Sequence, residues 1–348
     1  MSDSSDPAVS VLIINYNGQG HLAACLEALA RDTQSPPFDV IVVDNASPDN
    51  SAAIAEEKAT QWPALRVVRN AVNRGYAGGV NSALPLARGE FIAVLNPDCQ
   101  AEPGWLTPLV EFLRTRPDAG AVNPLILLRA SGDINSAGQN IHVTGLGFNR
   151  GLWQARELAG DTPQRVSGLH GSAFVLRRAV LEQMGGWDES GFLYHEDVEL
   201  SWTLQLMGYD LYCVPASVVR HDYHLTMYPE KLFLLERNRL ALLITHLSFA
   251  TRLMLSPLIL LTEAMMWSYC FLRGPAFLRA KAASYRWVGA QAERLSERRR
   301  FVNTLRRRTD WALLTRLRWN YAWDQFLSLG RERGPSRRQP VGGLPVKP

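Results

Sequence analysis

Three short apolar runs, each closing on a polar side chain, constrain this chain more than any other feature. They are Val9–Asn15 (VSVLIIN), Asp39–Asp44 (DVIVVD) and Glu90–Asp98 (EFIAVLNPD). Runs this short, rich in branched residues and bounded by turn formers, read as strands buried on both faces. Leu65–Val68 reads the same way. Between them Leu22, Cys25, Leu26 and Leu29 recur at helical spacing, and a second helix is expected from Asn50 or Ser51, with Asp49 and Asn50 as capping residues. Strands alternating with helices predict a mainly parallel sheet with helices on both faces. In such sheets ligands bind beyond the carboxyl ends of the strands. Asn15, Asp44 and Asp98 all stand there, which makes them a constellation rather than three unrelated turn residues. Asp98 offers the hard oxygen that Mg2+ or Mn2+ takes. Read alone, it equally suits a cap for the helix after Pro103, or an Asx turn. The first strand is followed by Asn15-Tyr16-Asn17-Gly18-Gln19-Gly20, which is not the G-x-G-x-x-G of dinucleotide-binding sheets.

The second half has a different texture. Ala121–Leu128 and Gly171–Arg177 read as strands, and Ser131–Gly160, rich in Gly and Asn, as loops with short strands. A helix is expected to run to about Met184, and Gly185–Glu189 is a turn. Glu196 and Asp197 open a helix that ends at Gly208. Acidic residues are favoured in a first helical turn by the dipole; the functional alternative is a general base at a sheet-edge cleft. Leu211–Val214 is expected as the last strand, followed by Val218–His221; a lone histidine such as His221 is structural as a rule. The cysteines, Cys25, Cys99, Cys213 and Cys270, show no paired spacing. That argues against a zinc site and a disulfide framework, and for a reducing compartment. Met1–Ala8 is polar and acidic, so no signal peptide is expected.

The motifs taken together resemble family 2 glycosyltransferases of the GT-A fold, and within them the rhamnosyltransferase-like bacterial branch. The matching stretches are Val9–Gly18, Val42–Ser51, Asn73–Asn81 (NRGYAGGVN), Leu95–Leu106 (LNPDCQAEPGWL), Gly185–Leu200 and Val219–His221. The resemblance implies an α/β fold, a nucleotide-sugar-binding, mainly parallel mixed sheet flanked by helices. It implies that Asp44 accepts from N3–H of a uracil or thymine base, with Asn15, Tyr16 and Asn45 at that pocket. Asn73, Gly75, Tyr76 and Gly79 match the turn under the nucleotide and donor sugar. Asp98 matches the metal-binding Asp of the family's D-x-D motif, whose first Asp is Asn96 here, an amide oxygen without charge. His221 matches a distal metal-holding histidine. Asp197 matches the catalytic base of a Glu-Asp pair completed by Glu196. Val80 stands where many relatives carry Asn. The implied activity is inverting transfer of a sugar, foremost rhamnose from dTDP-rhamnose, with Mg2+ or Mn2+. The alternatives are another UDP- or dTDP-sugar donor, such as galactofuranose or a hexose, and a non-catalytic sugar- or nucleotide-binding scaffold. Asp44, Asp98, Asp197 and His221 together argue against the scaffold, which needs no base.

Charge is divided unevenly along the chain. Arg273–Pro348 holds 18 Lys and Arg against 5 Asp and Glu, a net of +13; the remainder holds 19 against 28, a net of −9. A basic tail on an acidic body points to an anionic surface. Leu253–Leu272 is long enough to cross a bilayer, but Pro257, Glu263 and Ser268 count against a simple span. An interfacial helix or re-entrant hairpin is expected instead. The clusters Arg298–Arg300 and Arg306–Arg308, followed by Trp311, Trp319, Tyr321 and Trp323, fit an interfacial anchor on anionic lipid; the alternative is a soluble helical subdomain. No nucleic-acid-binding module accompanies the basic residues, so nucleic acid is not expected as a partner. The expected organisation is a polar tail at residues 1–8, a catalytic domain at 9–228, a helical membrane-associating region at 229–334 and a disordered tail at 335–348. With the family resemblance, this implies a polyprenyl-diphosphate-linked saccharide acceptor in cell-envelope or O-antigen polysaccharide synthesis. It also implies a peripheral or monotopic place on the cytoplasmic face of the inner membrane.

Overall fold

The computed structural model describes residues 6–224 and 226–328. Residues 1–5 of the expected polar tail and the expected disordered tail at 335–348 lie outside the described residues. The chain divides into two compact units. One comprises Met1–Asn140 and Asn149–Tyr223, the other Ile141–Phe148 and His224–Pro348.

In the first unit, β1 (Val9–Asn15), β2 (Phe38–Asp44), β3 (Leu65–Arg69) and β4 (Phe91–Leu95) alternate with α1 (Leu22–Ala30), α2 (Ser51–Gln61) and α3 (Gly75–Ala83). Then come β5 (Cys99–Ala101), α4 (Leu106–Thr115), β6 (Ala119–Leu128), β7 (Ile134–Ser136), β8 (Gln139–Ile141), β9 (Gly147–Asn149) and β10 (Gln164–Val166), the residues of β8 and β9 being divided between the two units. β11 (Ala173–Arg177), α5 (Arg178–Gln183), α6 (Glu196–Leu206) and β12 (Asp210–His221) complete it. The main sheet runs β10-β12-β6-β11-β4-β1-β2-β3. β1, β2, β3 and β4 are parallel, and the largely apolar, buried runs of β1, β2 and β4 suit that arrangement. β11 enters antiparallel between β4 and β6, which makes the sheet mixed. Every residue of β1 and β4 is buried, and α4 lays Leu106, Leu109, Val110 and Leu113 on the core beside Trp105.

Register decides which strand ends meet. Asn15 pairs with Asp44 across β1 and β2. β11 begins where β4 ends, Ala173 opposite Leu95. On the other flank β5 runs antiparallel to β12 with Cys99 opposite His221, so Asp98 arrives beside that histidine.

Two expectations change. Leu211–Val214 and Val218–His221 are one strand, β12, with a register shift between Val214 and Val218 around Pro215; a proline has no N–H for the ladder and suits a bulge. Asp98 caps no helix: α4 starts at Leu106, and its N-cap is Trp105, without a side-chain bond.

The second unit is helical: α7 (Pro229–His246), α8 (Phe249–Met254), α9 (Ser256–Arg273), α10 (Pro275–Ala290), α11 (Ala292–Leu305), α12 (Asp310–Leu314) and α13 (Trp323–Ser328). No described helix is long and apolar enough to cross a membrane. Glu263, the acid that breaks the apolar run, is explained by its partners. It pairs with Arg239 and with Lys281 (2.6 Å), both of which also pair with the buried Glu236. Burial favours the neutral carboxyl, but the two cations hold Glu236 below the usual range. Three buried charges and the half-buried Glu263, balanced in sign, tie α7, α9 and α10 together. In the same unit Tyr321 stacks on His142 at 4.1 Å between centroids, and Thr262 bonds both Thr144 and the Tyr321 hydroxyl.

Candidate active site

The nucleotide-side residues form one hydrogen-bonded cluster. Asn15 is fully buried at the end of β1, and its Nδ2 donates to Asp44 Oδ1 (3.1 Å), Ser47 Oγ (3.1 Å) and Ser51 Oγ (2.8 Å). Its place in the fold is therefore behind Asp44, tying the loop after β2 to the start of α2. Asp44 also accepts from Ser47 N (3.2 Å); each carboxylate oxygen keeps a second lone pair for a ligand donor. Asn45 donates to Gly75 O (2.7 Å) and accepts from Asn70 (2.7 Å), which clamps the glycine-rich turn. Tyr16, which follows Asn15, is half-buried. Asn73 accepts from Gly75 N (2.9 Å), an Asx turn that leads into α3. Gly75 has φ +70°, and a Cβ there would sit 2.1 Å from Phe192 O. Gly79 faces Ile14, where a Cβ would meet Cγ2 at 2.4 Å. Both glycines exist because other chain segments pass where a side chain would be.

Across the end of β4, Asn96 and Asp98 are half-buried, and Asn96 N donates to Ser172 O (2.8 Å). Asp98 Oδ2 lies 3.3 Å from His221 Nε2, while its Oδ1 is buried and accepts no hydrogen bond among the described residues. His221 Nδ1 meets Asn135 Oδ1 at 2.7 Å. With a proton held on Nδ1 by that amide, Nε2 faces Asp98, as a donor when the ring is charged and as a free lone pair for a cation when it is neutral. Burial raises the Asp98 carboxyl, but the bond and charge of His221, with the charge of His21, bring it below its usual range. A partnerless buried carboxylate oxygen beside an imidazole of fixed tautomer is a donor pair that fits a divalent cation. Cys99 Sγ lies within 4.8 Å of these atoms. Burial and the Asp98 charge push its thiol far up, and it donates to Ser172 O, so it is a poor ligand for a hard ion. His170 packs edge-on against His221 at 5.9 Å, held neutral by burial and by the neighbouring imidazole.

The carboxylate pair opens α6. Asp197 Oδ2 accepts from Gln139 Nε2 (2.8 Å) and Gly171 N (3.1 Å), and Oδ1 from Val198 N (2.8 Å). Glu196 Oε2 is buried and has no hydrogen-bond partner among the described residues. Burial raises both carboxyls, and the Asp197 charge raises Glu196 further, whereas three donors restrain Asp197. The first proton added to the pair therefore goes to Glu196, leaving Asp197 as the carboxylate. Tyr76 sits beneath, its hydroxyl donating to Gly171 O (2.8 Å) and its ring stacked on Trp187 at 5.7 Å. Burial, then the charges of Glu196 and Asp197, push its phenol well up.

The loop ahead of the pair is strained. Phe192 (φ 61°, ψ −66°) is the centre of a γ-turn closed by Leu193 N to Gly191 O (2.8 Å), the rare hand of that turn. Tyr194 and His195 are also left-handed, at φ 63° and 70°. Tyr76 N donates to Phe192 O (2.6 Å), which pins the loop to the glycine-rich turn.

Gln139, Asn135 and Gly171 are part of this site, and sequence reasoning passes over them. The first two lie in the stretch read as loops with short strands. The only signal they give is a concentration of amide side chains between two strands.

A family model described as glycosyl transferase family 2 matches residues 10–185. The N-acetylglucosaminyl-diphospho-decaprenol L-rhamnosyltransferase of Mycobacterium tuberculosis is 30% identical over 239 residues, covering 62% of this chain and 76% of the relative. The beta-monoglucosyldiacylglycerol synthase of Nostoc sp. is 27% identical over 223 residues, covering 62% of this chain and 45% of its own. Among solved structures, GalNAc-T7 with UDP, GalNAc and Mn2+ superposes with a TM-score of 0.56 at 18% identity, over 70% of this chain and 48% of that one. That likeness is one of fold, and it identifies the sheet as GT-A. A resemblance first carried by six short motifs thus extends over half the chain as one family match, and the protein belongs to glycosyl transferase family 2.

Proposed function

We propose that the chain is an inverting, metal-dependent rhamnosyltransferase that moves rhamnose from dTDP-rhamnose to a hydroxyl of a lipid-linked saccharide in cell-envelope or O-antigen polysaccharide synthesis. The observation that carries this reading is the Glu196–Asp197 pair, in which one carboxylate is fixed by three donors while its neighbour keeps a buried oxygen that accepts none among the described residues. A fixed, ionised carboxylate flanked by a protonated one is what proton abstraction from an acceptor hydroxyl needs. Asp197 takes that proton as the oxygen attacks the anomeric carbon. The nucleotide diphosphate leaves from the opposite face, and a single displacement inverts configuration. Asp44 serves as acceptor for the base N3–H, with Asn15 holding it, Asn45 clamping the adjoining turn and Tyr16 at the pocket edge. Asn73, Gly75, Tyr76, Gly79 and Asn96 shape the floor under the donor. Asp98 and His221 would hold Mg2+ or Mn2+, which when bound supplies charge stabilisation for the leaving diphosphate.

The M. tuberculosis relative's name supports a rhamnosyl donor and a polyprenyl-diphosphate acceptor. Uracil and thymine share the N3–H donor, so a UDP-sugar such as a hexose or galactofuranose is the second reading. We assign the reaction to residues 9–228 and membrane association to residues 229–334, on the cytoplasmic face of the inner membrane and without a crossing. Asp197→Asn tests the base: donor binding, read by calorimetry with dTDP-rhamnose and Mn2+, should be kept while turnover falls about 10²–10⁴-fold. Near-normal kcat in that variant would remove Asp197 from its role. A thermal-shift series over dTDP- and UDP-sugars decides the donor.

A further inference from the structure

The helix α9 is amphipathic in the inverted sense. Its inward positions carry Thr262, Met266 and Cys270, and Glu263 turns inward to the ion cluster of Arg239 and Lys281. Its outward positions are Pro257, Leu260, Leu261, Ala264, Trp267, Ser268, Phe271 and Leu272, spaced as one stripe along the helix and apolar but for a single serine. Leu260, Phe271 and Leu272 are 67%, 74% and 83% exposed. Phe249, Leu253 and Met254 on α8 extend the exposed apolar surface. A helix that keeps its charge inside and its leucines outside is not made to face water.

The charges around the stripe select its partner. Between Leu247 and Ala292 the sole acidic residue is Glu263, and both its cations are internal. The exposed charges of that stretch are Arg273, Arg279 and Arg286, all positive. A second copy meeting this face about a twofold axis would bring these arginines toward their own counterparts. An anionic lipid surface accepts both the apolar stripe and the cations. By contrast, the basic clusters that the sequence suggests as the anchor are partly engaged inside the unit. Arg306 pairs with Asp310 (2.5 Å) and donates to His246 O (2.6 Å), and Arg298 lies over Phe301 at 5.4 Å.

We propose that α8 and α9 form a lipid-binding face, with the outward stripe of α9 embedded among the headgroups of an anionic membrane and Arg273, Arg279 and Arg286 at the phosphate level. This rests on the membrane-acting reading above and names the surface that would carry it. At 1.5 Å per residue the embedded stripe, Pro257 to Leu272, is about 24 Å long, lying in the plane of the layer.

Flotation of the full chain with phosphatidylcholine vesicles, with and without phosphatidylglycerol, tests the face without any donor or turnover. Wild type should float with the anionic vesicles, and raised salt should weaken it. The triple variant Leu260→Glu, Phe271→Glu, Leu272→Glu should lose more than about tenfold in bound fraction with unchanged circular dichroism. Arg273→Gln and Arg279→Gln should each lose about fivefold, more than Arg300→Gln or Arg307→Gln in the clusters. Trp267 should be quenched by bromolipid, which Trp267→Phe removes. The proposal fails if wild type floats with neither vesicle, or if the triple variant floats as well as wild type. It fails also if the stripe proves to be a self-association surface, with wild type dimeric and unbound to vesicles and the triple variant monomeric. Flotation with no transfer from any nucleotide-sugar would sink the catalytic reading and leave this face standing.

Discussion

Gln139→Leu is the most informative single change, because the side-chain hydrogen bond it removes goes to the base. Gln139 Nε2 donates to Asp197 Oδ2 at 2.8 Å, and Leu keeps most of the volume. A hydrogen bond to a charged group contributes about 1.5–3 kcal/mol. At about 1.36 kcal/mol per unit, its loss lifts the apparent pKa of the pair by about 1–2 units. The sign follows from which form is bonded: the amide favours the carboxylate, so without it Asp197 holds its proton to higher pH. Asp197 already lies above the ordinary carboxylate range, where burial outweighs its three donors. The acidic limb of kcat against pH should therefore move upward, costing about 10- to 100-fold in rate on the acid side and little on the alkaline plateau. Stability gives a second readout. The variant's deficit should be absent where Asp197 is protonated in both proteins and should grow as pH rises through the wild-type titration. Steady-state rates with dTDP-rhamnose over about pH 5–9, beside thermal unfolding in the same buffers, check both. A uniform rate loss at every pH, with an unmoved acidic limb, would show that Gln139 merely packs and that Asp197 is not the titrating base.

Asn135→Ala removes the acceptor that holds the His221 tautomer and should weaken Mn2+ binding about 10- to 100-fold by calorimetry; unchanged affinity would detach His221 from the metal. Gly75→Ala combines a left-handed φ of +70° with a Cβ against Phe192 O, and should destabilise by more than about 2 kcal/mol in denaturant unfolding. Lys281→Met leaves Glu236 and Glu263 sharing Arg239 alone, and should cost about 3–5 kcal/mol; an unchanged melting curve would show that the cluster is not a cooperative lock.

The sequence reads most clearly where one residue's position follows from its own strand. Asn15, Asp44 and Asp98 close apolar runs, and the period of those runs puts their ends on one edge of the sheet. It reads poorly where the partner is remote. Nothing near Asn135 announces His221, 86 residues on, because β6, β7 and β12 must first be in register. Gln139 meets Asp197 across 58 residues for the same reason. Periodicity is a local signal, and these contacts are set by sheet order. For Asn15 the sequence gives the place and leaves the role open. Its position marks the pocket, while its amide nitrogen is committed to Asp44, Ser47 and Ser51 and its buried Oδ1 accepts no hydrogen bond among the described residues. Glu263 is the reverse case. Its charge reads as a flaw in an apolar run until α7 and α10 supply its cations.

The γ-turn at Phe192 lies four residues ahead of Glu196 and bears on how that pair is held. Its backbone conformation costs about 1–3 kcal/mol, and the hydrogen bond from Tyr76 that holds it returns about 0.5–1.5 kcal/mol. Releasing Phe192 would relax the first and forfeit the second, so the latch offsets part of the strain it holds. A substitution that relaxes the turn, or one that breaks the latch, would shift that balance in a direction its sign already gives.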